Sequence, residues 1–233
     1  MINLEPQSDQ DELDLGALTV EPDATASRVA AVHLCGSPGC GKSTLIEATV
    51  RRLSIRAHVG VIVAHLAASR DASMMRRAGA ATYAIDVAVA NTNILQNAVE
   101  CILHEPAPMD LLLIESPGQQ INTPIAKVGR AARVAVFSIT GGDDKAAEFP
   151  DRVREADLVL LTKMDLLSHV RFDLDVFHND VRKLNHGVQI IELSAQGGSG
   201  MEQWVDWLLA HSIRVSTSQP MEATPECSEW WFG

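Results

Sequence analysis

Eight consecutive residues, Gly36-Ser37-Pro38-Gly39-Cys40-Gly41-Lys42-Ser43, have the composition and spacing of a loop that wraps phosphate. Its glycines let the backbone curl so that successive N–H groups converge on one oxyanion cluster. The Lys42 ammonium can reach the outer phosphates, and the Ser43 hydroxyl, followed by Thr44, is a hard oxygen donor suited to Mg²⁺. An apolar run, Val29 to Cys35, leads in, and Thr44 to Arg56 has a helical pattern. A helix starting at Lys42 adds the positive end of its dipole to the same place. The plain alternative, a glycine-rich turn with a solvated lysine, has no need of a strand before it and a helix after it.

Further groups with chemistry in them follow apolar runs, where ligands of open α/β sheets collect. Leu111-Leu112-Leu113-Ile114-Glu115 ends in a carboxylate and continues as Ser116-Pro117-Gly118. That is the position of a Mg²⁺-side acid and of a glycine that senses the last phosphate. Glu115 would hold Mg²⁺ through water or polarise the attacking water, unless it simply ends a strand. Leu158 to Thr162 leads into Lys163-Met164-Asp165, and Ile191 to Leu193 leads into Ser194-Ala195. An Asp165 carboxylate can accept both the ring N–H and the exocyclic amine of guanine, with the Lys163 stem along the ring face and a backbone N–H near Ala195 at the guanine carbonyl. Adenine offers no such donor pair, so GTP is favoured over ATP.

The elements that must position these groups alternate. Strands are expected at Val29–Cys35, His58–Leu66, Ala81–Asp86, Leu111–Glu115, Arg133–Ile139, Leu158–Thr162 and Val188–Leu193. Helices are expected at Thr44–Arg56, Ala72–Ala78, Asn91–His104, Asp173–Leu184 and Gly200–His211. This grammar predicts an α/β fold, a mostly parallel sheet with helices on both faces. The 233 residues, 46% of them hydrophobic, suit one such domain with tails: an acidic, disordered leader over 1–27, the phosphate-loop domain over 28–211, and a tail over 212–233. The tail ends in Trp230-Trp231-Phe232, which either folds back onto the domain or serves as a docking peptide.

Charge and cysteines narrow the classes. The net charge of −11 is uneven, with seven acids and no base in residues 1–27, leaving 23 acidic against 19 basic residues elsewhere. A nucleic-acid surface needs clustered Lys and Arg, which is not found. No apolar stretch is long enough to span a bilayer and the N-terminus lacks a signal-peptide pattern, so no membrane association and a cytoplasmic location are expected. Cys35, Cys40, Cys101 and Cys227 have no framework spacing and are read as thiols; a link between Cys35 and Cys40 would block phosphate entry. His33 and Cys35 share a strand face and are read as packing, as is Cys101 near His104. His178 and His186 have no visible partner, and Trp204 and Trp207 are read as core and rim packing. No lid-like, Arg-rich segment supports a small-molecule kinase.

From about Val32 to Leu209 the chain resembles the hydrogenase nickel incorporation proteins of the HypB type, relatives of the urease nickel-delivery GTPases. The resemblance is carried by Asp110-Leu-Leu-Leu-Ile-Glu115, by Ile139-Thr-Gly-Gly-Asp-Asp-Lys145 with Pro150, and by Ala156-Asp-Leu-Val-Leu-Leu-Thr-Lys-Met-Asp-Leu166. It continues in Leu193-Ser-Ala-Gln-Gly-Gly-Ser-Gly-Met201 with Trp204 and Trp207. It implies a phosphate-loop NTPase of the metal-insertion GTPase type, binding GTP or GDP with Mg²⁺. Such a protein dimerises on GTP, as a homodimer or beside a paralogue, and helps deliver Ni²⁺ to an apo-metalloenzyme together with other maturation proteins. The Gly141–Lys145 turn is then either solvated or a switch or dimer contact.

The chain departs from that pattern in several places. The family's Gly-Asp pair after the second strand is Ala64-His65 here, leaving Asp71-Ala72 as the segment resembling switch I and Asp71 as a candidate Mg²⁺ ligand. His65 is either a proton-transfer group or a simple loss. The family's metal-binding Cys-His pair and later Cys fall at Asn91, Thr92 and Thr123. Amides and hydroxyls replace thiolate and imidazole poorly, which leaves Ni²⁺ or Zn²⁺ binding there doubtful. Ser116-Pro117 stands where Asn-Val is usual and stiffens that switch. The expectation is a GTP-hydrolysing accessory protein for metallocentre assembly, with Lys42, Glu115 and Gly118 as its catalytic groups. The alternative is a non-hydrolysing, nucleotide-dependent adaptor that has lost metal handling.

Overall fold

A computed structural model describes residues 29–64, 68–85, 92–103, 109–117 and 131–215. The acidic leader, His65, Asn91, His104, Gly118, Thr123, Cys227 and the Trp230-Trp231-Phe232 segment lie outside the described residues.

Among the described residues seven strands form one sheet: β1 (Ala30–Gly36), β2 (Val59–Ala64), β3 (Ala81–Ile85), β4 (Leu111–Pro117), β5 (Ala132–Ser138), β6 (Leu158–Thr162) and β7 (Gln189–Glu192). Their order is β3-β2-β4-β1-β5-β6-β7, and every pairing is parallel. Strands such as β2 and β6 are buried at every residue. A parallel sheet covered on both faces requires that, and it explains why these strands read as continuous apolar runs. β1 lies at the centre, and the chain crosses over it from β4 to β5, so the loop after β1 sits where the winding changes direction.

Among the described residues seven α-helices cover the sheet: α1 (Lys42–Leu53), α2 (Ala68–Ala78), α3 (Thr92–Leu103), α4 (Lys145–Glu148), α5 (Pro150–Arg154), α6 (Leu174–Leu184) and α7 (Met201–Val215). On one face, Val32, Leu34, Val61 and Leu113 pack with Leu45 and Ile46 of α1, Met75 of α2 and Trp204 and Leu208 of α7. On the other, Ala31, Ile62 and Ile114 meet Ala98, Val99 and Ile102 of α3. Beside them Phe137 and Leu161 meet Val153 of α5 and Phe177 and Val181 of α6. The strand alternation of β1 thus sends Val32 and Leu34 to the α1 side and Ala31 to the α3 side.

Several boundaries differ from the sequence reading. β4 runs on through Ser116 to Pro117, because Pro117 falls opposite Gly36 and parallel pairing with β1 continues to that point. α2 begins at Ala68, four residues earlier than expected, and α7 extends to Val215. α6 starts after Asp173, whose carboxylate accepts from the backbone N–H groups of Asp175 and Val176 and so caps the helix. The Gly141–Lys145 segment leads into α4, where Lys145 pairs with Glu148. His178 has a partner after all: its Nε2 lies 2.8 Å from Glu192 Oε1 on β7. No helix among the described residues is long and apolar enough to cross a membrane.

Candidate functional site

The C-terminal ends of β1, β4, β5 and β6 converge on the Gly36–Ser43 loop. Gly36 has no room for a side chain, since a Cβ there would stand 2.5 Å from the Val136 carbonyl and 2.6 Å from Cys40 Sγ. Gly41 takes φ 96°, a left-handed conformation that lets the chain turn directly into α1 at Lys42, whose first turn is closed by Leu45 N–H to the Gly41 carbonyl at 2.9 Å. The loop therefore delivers a helix N-terminus and a curled backbone to one point, the arrangement that binds anions.

Lys42 is only 6% exposed. Its ammonium donates to the carbonyls of Gly36 at 2.8 Å and Ser37 at 3.3 Å, within the curl of the loop. Cys40 is buried with its Sγ 3.8 Å from Lys42 Nζ, and burial pushes the thiol up despite the neighbouring cation. It behaves as a packing group of the loop, and among the described residues Cys35, Cys40 and Cys101 form no disulfide.

The three residues read as Mg²⁺ ligands lie together. Ser43 Oγ is 2.8 Å from Asp71 Oδ2 of α2 and 2.9 Å from Glu115 Oε1 at the end of β4, where Glu115 is 3% exposed. A hydroxyl has one hydrogen and cannot donate to both carboxylates at once. One hydroxyl and two carboxylate oxygens, all hard donors, form a set that fits Mg²⁺. Asp71 reaches the site from within α2, so two carboxylates, Asp71 and Glu115, meet at Ser43 among the described residues.

On the opposite side of the loop, Lys163 has φ 63°, the positive-φ residue other than glycine among the described residues. Its ammonium donates to the Gly39 carbonyl at 2.7 Å and to Thr140 Oγ1 at 3.0 Å, and its stem passes beside Gly41. A non-glycine residue held there is a local strain of the kind that collects at binding sites. Asp165 lies in the first turn of a 3-10 helix (Met164–His169), and its carboxylate accepts from Ser194 Oγ. Ser194 in turn accepts from the Gly197 backbone N–H at 2.7 Å, with Ala195 packed at the edge of the core. Lys163, Asp165, Ser194 and Ala195 are thus assembled from two separate strand ends next to the loop. Gly118, read as the phosphate sensor, is outside the described residues.

Two contributors were not anticipated. Thr162, the last residue of β6, places its hydroxyl 2.6 Å from the Cys40 carbonyl and 3.0 Å from that of Phe137, fastening the loop to β6. Arg152 of α5 places Nη1 3.4 Å from Ser37 Oγ. Neither carries a local sequence signal, because the contacts to the loop, Thr162 to Cys40 and Arg152 to Ser37, join residues more than a hundred positions apart. Elsewhere, His33 Nδ1 and Cys35 Sγ are 3.3 Å apart on β1; burial, and secondarily Arg133, lowers the His33 pKa to about 4, so the imidazole is neutral. No group of three or more His, Cys, Asp or Glu among the described residues could hold a metal ion.

A phosphate loop entering a helix between the diverging connections of a parallel sheet, beside a hydroxyl–carboxylate cluster, defines a nucleotide-binding phosphate-loop protein. The particular lineage follows from comparison: residues 30–192 match the CobW/HypB/UreG nucleotide-binding domain, and the chain belongs to that family. Hydrogenase maturation factor HypB of Azotobacter chroococcum mcd 1 is 32% identical over 180 residues, 76% of this chain and 58% of that protein. The chain thus spans less than two thirds of the length of this curated relative. The crystal structure of hydrogenase maturation factor HypB from Archaeoglobus fulgidus superposes with a TM-score of 0.70 at 29% identity, over 79% of this chain and 91% of that one. HypB from Helicobacter pylori, solved in complex with nickel, shares the fold with a TM-score of 0.71 at 24% identity, over 83% and 92% of the two chains.

Proposed function

We propose that this chain is a GTP-binding, GTP-hydrolysing accessory protein for nickel metallocentre assembly, acting as a nucleotide switch. The observation that carries this is the assembly of Lys42, Ser43, Asp71 and Glu115 on one side of the phosphate loop and Lys163, Asp165 and Ser194 on the other. The loop amides and Lys42 neutralise the phosphates. Asp165 accepts from the N–H donors of guanine, with Ser194 holding the carboxylate in place and the Lys163 stem along the base. Ser43, Asp71 and Glu115 hold Mg²⁺, which when bound offsets charge on the outer phosphates. Glu115, buried beside Ser43, orients the hydroxyl and the water near it, and Gly118 reports the last phosphate to the segment after β4.

The nickel client is read from the names of the relatives and from family membership. The family resemblance sets Asn91, Thr92 and Thr123 where a Cys-His pair and a later Cys are expected. Metal transfer therefore relies on partner proteins, an apo-metalloenzyme or another maturation factor, more than on a thiolate site at those positions. Dimerisation on GTP, with a second copy or a paralogue, belongs to the same proposal, as do a cytoplasmic location and the division into leader, domain and tail.

The experiment is Asp165→Asn assayed against GTP and xanthosine triphosphate. An amide replaces one acceptor oxygen by a donor. That mismatches the guanine amine and matches the carbonyl that xanthine carries instead, so preference should invert. A variant that keeps its GTP preference contradicts the assignment of base recognition to Asp165.

A further inference from the structure

Arg152 belongs to none of the ion pairs among the described residues. Among the described residues no Asp or Glu lies within ion-pair distance of it, and its Nε is buried without a hydrogen-bond partner. Its guanidinium is instead stacked: Cζ lies 4.6 Å from the ring centre of Phe149 and 5.7 Å from that of Phe137. Arg152 sits in α5 two residues after Pro150, and the fixed φ of a proline at the first helical position sets how this short helix begins. The head group is therefore held by two aromatic faces and a proline-started turn, and Nη1 is pointed at Ser37 Oγ, 3.4 Å away.

This arrangement is poor for stability on its own terms. A half-buried guanidinium with no carboxylate at ion-pair distance among the described residues loses hydration, and burial lowers the Arg152 pKa, with the Glu148 carboxylate opposing that shift only in part. An exposed position on α5 would relieve it at once. The cost is offset if an anion arrives, and the neighbouring segment, Ser37 to Ser43, is built to receive one. The cations already assigned to the site have other attachments: Lys42 to the Gly36 and Ser37 carbonyls, and Lys163 to Gly39 and Thr140. Arg152 instead contacts the Ser37 side chain, on the limb of the loop that leaves β1.

We propose that Arg152 is an arginine supplied in cis to the outer phosphates of the bound nucleotide, binding GTP more tightly than GDP and stabilising hydrolysis. The assignment rests on the GTPase reading above and deepens it. In hydrolysis a water oxygen forms the new bond to the terminal phosphorus while the bond to the bridging oxygen of GDP breaks. The electron pair stays on that oxygen, and the water proton leaves with phosphate or solvent. Negative charge develops on the leaving oxygen and the transferred group, and a planar guanidinium with paired N–H donors is suited to it in a way a lysine ammonium is not.

The test uses the full chain with Arg152→Ala and Arg152→Lys, measuring affinity for GDP, GTP and GDP with aluminium fluoride, and single-turnover hydrolysis. The expected result is GDP affinity within about two-fold of wild type, GTP affinity reduced by about five-fold or more, and turnover reduced by about 100-fold or more in Arg152→Ala, towards the range of arginines acting on a transferred phosphoryl group. Aluminium fluoride affinity should fall with turnover, and Arg152→Lys should recover little. If both variants turn over and bind GTP like wild type, or if GDP and GTP affinities fall together, Arg152 only packs the loop and the proposal is overturned. Wild type that binds GTP without hydrolysing it leaves the GTP-to-GDP affinity ratio as the deciding number. Wild type that binds neither nucleotide refutes the GTPase reading itself, a result distinct from indifferent Arg152 variants in a working enzyme.

Discussion

Replacing Thr162 by Val should loosen the phosphate loop from a distance of 122 residues along the chain. The side chain is 2% exposed and its hydroxyl sits 2.6 Å from the Cys40 carbonyl. Valine keeps the shape but puts a methyl where the hydroxyl was. A methyl carbon needs roughly 3.3 Å from a carbonyl oxygen, so the loop must retreat by roughly 0.7 Å or the strand must give. The lost hydrogen bond and the acceptor left behind together cost about 1–3 kcal/mol. If half of that, about 0.5–1.5 kcal/mol, is recovered only when the loop is in its binding shape, nucleotide affinity drops by about 2- to 13-fold. Isothermal titration with GTP and GDP, alongside urea unfolding, measures both, and Thr162→Ser is the control that keeps the hydroxyl. Thr162→Val with unchanged unfolding midpoint and affinity within two-fold of wild type would refute the view that β6 holds the loop.

Gly36→Ala should be more severe, because the new Cβ meets the Val136 carbonyl at 2.5 Å and backbone there cannot step aside; overpacking of about 1–3 kcal/mol and a loss of nucleotide binding are expected by thermal melts with and without GTP. Asp71→Asn should shift the Mg²⁺ concentration needed for GTP binding by about ten-fold, since it removes one of two carboxylates at Ser43; an unchanged Mg²⁺ titration removes Asp71 from the site. Stability should fall as pH drops from about 6.5 to about 4. The unfolded chain takes up a proton on His33 in that window while the folded chain, with the pKa lowered to about 4, does not. The full effect is about 3 kcal/mol, and His33→Gln should flatten the urea midpoint between pH 7 and pH 4.5.

How far the molecule could be read from its sequence depends on whether the signal was local. The loop was legible because its chemistry is contained in eight adjacent residues, and β1 and α1 flank it with opposite periodicities. Asp165 and Ser194 were legible because each follows an apolar run, and a parallel sheet brings the ends of such runs to one edge. The central strands were legible because burial on both faces leaves no polar alternation to confuse them. α4 and α5, at four and five residues, are too short to show a helical period, so Arg152 had no face to be assigned to. Thr162 was seen as a strand end but not as a fastener, since its partner depends on the register between β6 and the loop after β1. His178 looked alone because Glu192, its partner, lies on β7, which pairs with β6 at the far side of the sheet.

The most direct test of the central claim is Mg²⁺-dependent turnover of GTP and of ATP by the purified chain beside Lys42→Ala, with nucleotide binding recorded on the same samples. The account predicts that GTP is bound and hydrolysed, that ATP is not, and that Lys42→Ala abolishes turnover. Tight GTP binding with no turnover would contradict hydrolysis and leave a nucleotide-gated adaptor, and binding of neither nucleotide would contradict the account as a whole.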